Sequence, residues 1–504
     1  MNREVVLRFR SSNGNEYLYD DVTGHILNWS DIHDEVLNLM HKGELPQNII
    51  NNFKDIRNID KIVKEIEFWY KVNGAFFRED IEQKSLEHTE EFEALVTNEV
   101  SQLMLSVTDN CNLSCKYCIF SDNYFLTKTN TNNYMTKETA KKSIDYFYSI
   151  VSKQFITNPK KDFAFTFYGG EPLMNFEVIK FSINYIKEIF KNKKYIFSLT
   201  TNGLLLNEEI VSFLAENKVT LAISIDGDQE EHDKRRVTRG GNGSFKTILN
   251  NLNMIREKYP NYFNTQIGIT SVFDLNTDLK KADTFFENGE ISKIIPGHLF
   301  TNMVSNVNTQ YYDQFDKTDS QYFEENIDFL ENKYNDKLKR REECSTYLLS
   351  LIGPKFNRIA VRERFHDIRG NILPSTGTCM IGRKIHIGWN GNIDICEKVN
   401  GKNPIGDLNN GLDFKKIVEY INKYKEEIVS KCNGCSIQKF CPFCFMHFES
   451  DNTFKHNMSR CKQEKEFIIK TLSKYTTILE ENPSIEFDFL EDALRVSEFQ
   501  LIYS

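Results

Sequence analysis

Between residues 100 and 300 short apolar runs alternate with helical stretches, and this alternation narrows the fold more than any other feature of the sequence. The runs at 102–107, 163–168, 195–200, 220–225, 266–272 and 293–298 read as strands. The stretches at 136–153, 175–191, 207–217, 244–258 and 278–288 read as helices. Strands alternating with helices at this spacing pair in parallel, because each crossover needs about the length of a helix to return. Six such units predict an α/β fold with a partial (β/α)6 barrel rather than a closed eightfold one. Reactive groups then belong on loops at the C-terminal ends of the strands.

The 11 cysteines of this 504-residue chain are unevenly placed. None falls in the first 110 residues, three lie within eight residues, and five lie between 432 and 461. An odd number in tight groups points to metal ligation rather than a disulfide framework. The first group, Cys111-x3-Cys115-x2-Cys118, follows the first expected strand. Three thiolates so spaced hold three irons of a [4Fe–4S] cluster and leave the fourth iron open. The alternative is a zinc site completed by a remote His, since structural zinc takes four ligands. Charge excludes other classes. Lys+Arg 63 against Asp+Glu 72 gives a net charge of -9 and no basic face for nucleic acid. No stretch approaches the ~20 apolar residues of a membrane span, and the start lacks the apolar core of a secretory signal. A cytoplasmic protein with no nucleic-acid or membrane partner is expected.

Tyr117 stands immediately before the third cysteine, and the motif opens a βα array. This arrangement resembles the radical S-adenosylmethionine (SAM) superfamily. The resemblance implies that the open iron binds the amino and carboxylate groups of SAM. Reduction then releases a 5′-deoxyadenosyl radical that abstracts a hydrogen atom. Later strand ends carry matching loops. Phe167-Tyr168-Gly169-Gly170-Glu171-Pro172 looks like the family's GGEP motif: Gly169 and Gly170 allow close backbone approach, and Glu171 accepts from the methionyl ammonium. Thr200-Thr201-Asn202-Gly203 and Ser224-Ile225-Asp226-Gly227 match loops that reach the ribose and methionyl parts, with Thr200, Asn202, Ser224 and Asp226 as contacts. His232-Asp233-Lys234-Arg235-Arg236 resembles H-D-x-x-R and gives Arg236 the methionyl carboxylate. Gly240–Ser244 lacks the Lys-Ser/Thr of a phosphate loop and reads as a helix start.

Residues 376–462 are rich in cysteine and turns. Gly391-x4-Cys396, Cys432-x2-Cys435-x5-Cys441 and the following Cys444 and Cys461 resemble a SPASM domain, which holds two auxiliary iron–sulfur clusters. The x2 spacing to Cys444 departs from the commoner x3. The family's crossed ligation would give one auxiliary cluster Cys432, Cys435, Cys441 and Cys461. It would give the other Cys379, Cys396 and Cys444. Either that second cluster keeps an open iron for a peptide thiolate, or Cys344, in an expected helix over 317–352, is its fourth ligand. With the first motif this makes three [4Fe–4S] clusters. The competing reading of the paired CxxC elements is a zinc ribbon.

Residues 1–90 read as strands, three short helices around 32–40, 45–55 and 58–71, and a closing strand near 74–77, the order of a winged helix. Without a basic recognition helix it looks like a RiPP recognition element, which binds the leader of a ribosomal precursor peptide by adding it to a sheet edge. Residues 301–375 stay without a role, and 463–504 read as one helix and a mixed tail. Together the parts resemble peptide-modifying radical enzymes of the sactipeptide and ranthipeptide type, which join a cysteine sulfur to a carbon of the same peptide. A flavodoxin or ferredoxin is implied as electron donor. The rivals are carbon–carbon crosslinking, epimerisation, sulfatase-type maturation, and a non-enzymatic iron–sulfur or zinc protein that binds a peptide. No acid or base is assigned: Tyr168, Asp109 and His298 near strand ends read as structural, and His386 and His447 as packing.

Overall fold

In the computed structural model, residues 2–79, 84–125, 127, 131–287, 293–294, 296–364, 381–398, 404–450 and 453–503 are described. The chain begins with β1 (Asn2–Glu4), β2 (Val6–Arg10), β3 (Glu16–Asp20) and β4 (Ile26–Asn28). Helices Asp31–His41, Pro46–Asn52 and Ile59–Glu67 follow, and β5 (Phe77–Glu79) returns antiparallel to β1. Alternation along β2, β3 and β4 gives their small antiparallel sheet two apolar faces. Leu18, Leu27 and Trp29 meet Val36, Met40 and Val63 of the helices. Leu7, Phe9 and Tyr19 pack instead with Phe440, Leu472 and Tyr475 from the far end of the chain.

The expected βα array is present. β6 (Gln102–Thr108), β7 (Phe163–Gly169), β8 (Tyr195–Thr201), β9 (Thr220–Ser224), β10 (Ile267–Phe273) and β11 (His298–Met303) pair in parallel in sequence order. The last strand begins where the expected run 293–298 ends. Pro296 donates no ladder hydrogen bond, so pairing starts after Pro296-Gly297. Leu103, Leu105, Phe165, Phe167, Leu199, Leu221, Ile223 and Ile267 turn outward and pack against Ile144, Ile183, Leu214 and Leu252 of the helices. Each such burial contributes about 1.5–3 kcal/mol. By alternation Ser106, Thr166, Ser198, Thr200 and Ser224 occupy the other face.

A further strand is not legible in the sequence. β12 (Lys384–Ile387) pairs parallel with β6, and β13 (Asn392–Asp394), β14 (Gly406–Asp407) and β15 (Gly411–Leu412) extend the sheet to ten strands. The cysteine-rich region is therefore continuous with the barrel. Two helical expectations are corrected. Helix 317–352 is two helices, Lys317–Arg340 and Thr346–Ala360, because Arg341 turns left-handed (φ 55°) and Ser345 caps the second helix through Leu348 N. Cys344 thus lies in a loop, not in a helix. The expected mixed tail is the helix Ile485–Tyr503, parted from Met458–Glu481 by Asn482-Pro483. Among the described residues no helix is long and apolar enough to cross a membrane.

Candidate functional site

Cys111, Cys115 and Cys118 sit on the loop after β6, half-buried and unbridged. Backbone contacts on two sides fix the loop. Ser114 N and Lys116 N donate to Val237 O and Arg235 O. Gly170 N and Glu171 N donate to Thr108 O (2.9 Å) and Asn110 O (2.8 Å). A Cβ on Gly169 (φ 152°) would stand 2.2 Å from Thr108 O, and one on Gly170 2.3 Å from Asn110 O. The close approach expected of these glycines is therefore made to the cysteine loop itself. Burial pushes the thiols of Cys111 and Cys115 up to about 11 and about 12; Cys115 feels both other thiols and Cys111 feels Cys118. Ligation has to displace those protons. Among the described residues no three His, Cys, Asp or Glu side chains converge on a single ion.

Behind the loop, Asp226 is fully buried. Its Oδ2 accepts from Tyr117 Oη (2.6 Å) and Arg236 Nε (3.0 Å), and its Oδ1 accepts from Val272 N. Burial works against its charge, but Arg236 and its neighbours hold its pKa below the ordinary value. Arg236 also stacks over the Tyr117 ring, 5.4 Å from its centre. Its two terminal nitrogens make no hydrogen bond among the described residues, and Cys115 lies within its field. A guanidinium held by one edge with its other nitrogens free, beside the cysteines, fits the carboxylate role expected of it. Asp226 thus holds Arg236 beside Tyr117.

Glu171 and Asn202 join the neighbouring loops. Glu171 Oε1 accepts from Leu173 N and Thr201 Oγ1, and Oε2 accepts from Asn202 N (2.7 Å). Burial raises its pKa to about 7. A carboxylate oxygen has two lone pairs, so Oε2 keeps one for an ammonium group. Asn202 Nδ2 donates to Asn112 Oδ1 (2.7 Å) and approaches Cys111 Sγ at 3.9 Å, which ties it to the cysteine loop.

His232, fully buried, accepts from Asp226 N at Nδ1 (3.3 Å) and meets Ser244 Oγ at Nε2 (2.8 Å). Burial lowers its pKa to about 4, against 6.5 in the unfolded chain. A depressed histidine stabilises the fold fully above pH 6.5 and loses that contribution as pH falls towards 4. Going from pH 7.5 to 5 costs about 2 kcal/mol through this group. The variant His232→Gln loses that share of the acid sensitivity, which urea unfolding at the two pH values measures.

The C-terminal cysteines form two neighbourhoods. Cys435, Cys441 and Cys461 lie within one another's fields, and Cys435 N donates to Cys432 O. Cys396 and Cys444 both act on Tyr420, and Cys396 and Cys118 both act on Tyr168, so Tyr168 stands between the first motif and the second neighbourhood. Cys379 lies outside the described residues. Cys344 feels Lys337, Asp492, Glu287 and Lys333. Tyr420 Oη and Ser436 Oγ are buried without a hydrogen-bond partner among the described residues, one beside each neighbourhood. Orphaned donors next to cysteines fit sulfur acceptors supplied by clusters. His386, expected as packing, bonds Ser106 Oγ at Nε2 (2.8 Å) and faces Asp394 at 3.5 Å. His447 Nδ1 lies 3.4 Å from Cys444 Sγ, and His456, which the sequence did not single out, lies 3.8 Å from Cys461 Sγ. Arg78 was also missed: it donates to Cys435 O (3.0 Å) from residue 78, with no motif around it to mark it.

Residues 105–280 match the family model described as Radical SAM superfamily. Parts of the chain are similar to curated proteins. The cysteine-type anaerobic sulfatase-maturating enzyme of Clostridium novyi is 30% identical over 192 residues, 37% of this chain and 48% of that one. The radical SAM cyclopropyl synthase TigE of Paramaledivibacter caminithermalis is 28% identical over 304 residues, 56% of this chain and 58% of that one. The chain thus spans about half the length of the curated relatives it matches. Among solved structures, anSMEcpe with bound AdoMet covers 78% of this chain and 98% of its own, at 20% identity and a TM-score of 0.55, which shows a shared fold.

Proposed function

We propose that the protein is a radical SAM maturase of a ribosomally made precursor peptide, forming a thioether between a cysteine sulfur and a carbon of that peptide. The observation that carries this is the pair of cysteine neighbourhoods beyond the first motif, one of them joined to the N-terminal domain through Arg78 and Cys435. Cys111, Cys115 and Cys118 would hold the SAM-binding cluster. Cys432, Cys435, Cys441 and Cys461 would hold one auxiliary cluster, and Cys379, Cys396 and Cys444 the other. Together these groups supply the deoxyadenosyl radical and an electron sink, and the protein positions substrate around them. Arg236 and Glu171 orient the carboxylate and ammonium of SAM, and Asp226, Tyr117 and His232 keep Arg236 in place. Residues 1–90 act as the recognition element. β2 runs along helix Met458–Glu481, with Ser473 Oγ bonding Arg10 O, so β4 is the edge for the leader. A flavodoxin or ferredoxin in the cytoplasm delivers the electron.

A bound peptide accompanies AdoMet in one anSMEcpe structure of the same fold, which supports a peptide substrate. The likeness to a cyclopropyl synthase favours a second reading, carbon–carbon bond formation. Anaerobic co-expression with the short peptides encoded beside the gene separates the two. Either product loses two hydrogens, about 2 Da, on cofactor-driven oxidation. A thioether leaves the matching cysteines resistant to alkylation after reduction, whereas a carbon–carbon bond leaves all of them reactive and overturns the thioether reading. SAM cleavage with no change in peptide mass overturns both bond-forming readings.

A further inference from the structure

Helix Phe414–Glu427 carries Tyr420 to the neighbourhood of Cys396 and Cys444. Phe445, with its ring centre at 5.4 Å, and Phe454, edge-on at 4.8 Å, fix the phenol ring. The hydroxyl oxygen is buried and has no hydrogen-bond partner among the described residues. Glu449, Cys396 and Cys444 lie within electrostatic reach of it. A buried O–H without an acceptor is costly. Glu449 acts on it through charge alone and makes no bond to it. Cys396 and Cys444 are sulfur groups that also act on it.

We infer that Tyr420 Oη–H donates to a sulfur of the auxiliary cluster held by Cys396 and Cys444 and raises that cluster's reduction potential. This rests on the auxiliary-cluster reading given above. Reduction adds one electron from the external donor and makes the sulfurs more negative. A hydrogen bond to sulfur favours the reduced state, so its loss lowers the midpoint. Tyr420 touches no substrate and is a positioning and tuning residue.

The test uses the full chain, reconstituted anaerobically and titrated with dithionite under EPR detection. The variant Tyr420→Phe keeps its iron, and one cluster becomes about tenfold harder to reduce, ~59 mV for one electron. The other midpoints stay in place. Fluorination of Tyr420 at the ring 3-position makes a stronger donor and moves the same midpoint upward, and it decides the matter if the Phe variant loses iron. Unchanged midpoints in the iron-complete variants overturn the inference, the hydroxyl then being bonded to an ordered water, and leave the clusters standing. Wild-type protein with only about four irons overturns the auxiliary-cluster reading instead.

Discussion

Replacing Cys115 by Ala abolishes SAM cleavage and removes about four of roughly twelve irons. The loop itself survives the change. Its bonds run from Ser114 N to Val237 O and from Lys116 N to Arg235 O, and from the Gly169-Gly170 side to Thr108 and Asn110, none through the cysteine side chain. The buried thiol of Cys115 is replaced by a smaller apolar group, so the barrel keeps its fold. A cluster with two protein thiolates is labile, and the other two cysteine neighbourhoods lie on different elements and keep their metal. Iron analysis and chromatography of 5′-deoxyadenosine read both effects. A variant that keeps all its iron would remove the first motif from the ligand set.

Arg78→Met destabilises the fold by about 3–5 kcal/mol, the cost of leaving a buried charge without its partner. Arg78 and Asp21 are 4% and 0% exposed, with Nη2 2.7 Å from Oδ2, and both are also committed elsewhere. Arg78 Nη1 donates to Cys435 O, and Asp21 Oδ1 accepts from Lys439 N and Tyr19 Oη. Burial holds the Asp21 pKa above its ordinary value even with the arginine present. A carboxyl with a raised folded-state pKa favours the fold most at pH below its unfolded value of 3.8, and that contribution is lost as pH rises through the folded value. Without Arg78 the folded value rises further, so the variant's deficit is largest at neutral pH and shrinks in acid. Denaturant unfolding at pH 7.5 and pH 5 tests this. Because Arg78 also fixes the Cys435 carbonyl, the variant loses iron from Cys432, Cys435, Cys441 and Cys461, while Cys111, Cys115 and Cys118 keep theirs.

Asp21 and Arg78 also show where sequence reading stopped. Both are ordinary charged residues in a short N-terminal domain, and their partners at Cys435 and Lys439 lie 357 and 418 residues away. Tyr420 is likewise one aromatic among many until the fold sets its hydroxyl near Cys396 and Cys444. Asp226 reads as a ribose contact beside its turn, and tertiary packing adds its bond to Arg236. By contrast, the strands of the barrel were legible within a residue or two, β11 excepted, because their apolar runs are bounded by local turn chemistry.

The sequence alone determined the βα order, the cysteine spacings and the placement of each loop at a strand end, since period, turn residues and spacing act over a few residues. Only the tertiary structure decided that β12 joins β6, that Gly169 and Gly170 pack on the cysteine loop, and that the N-terminal sheet is buried against the cysteine-rich region. Those outcomes depend on which surfaces meet when distant segments bury apolar area together, and no local pattern encodes the meeting.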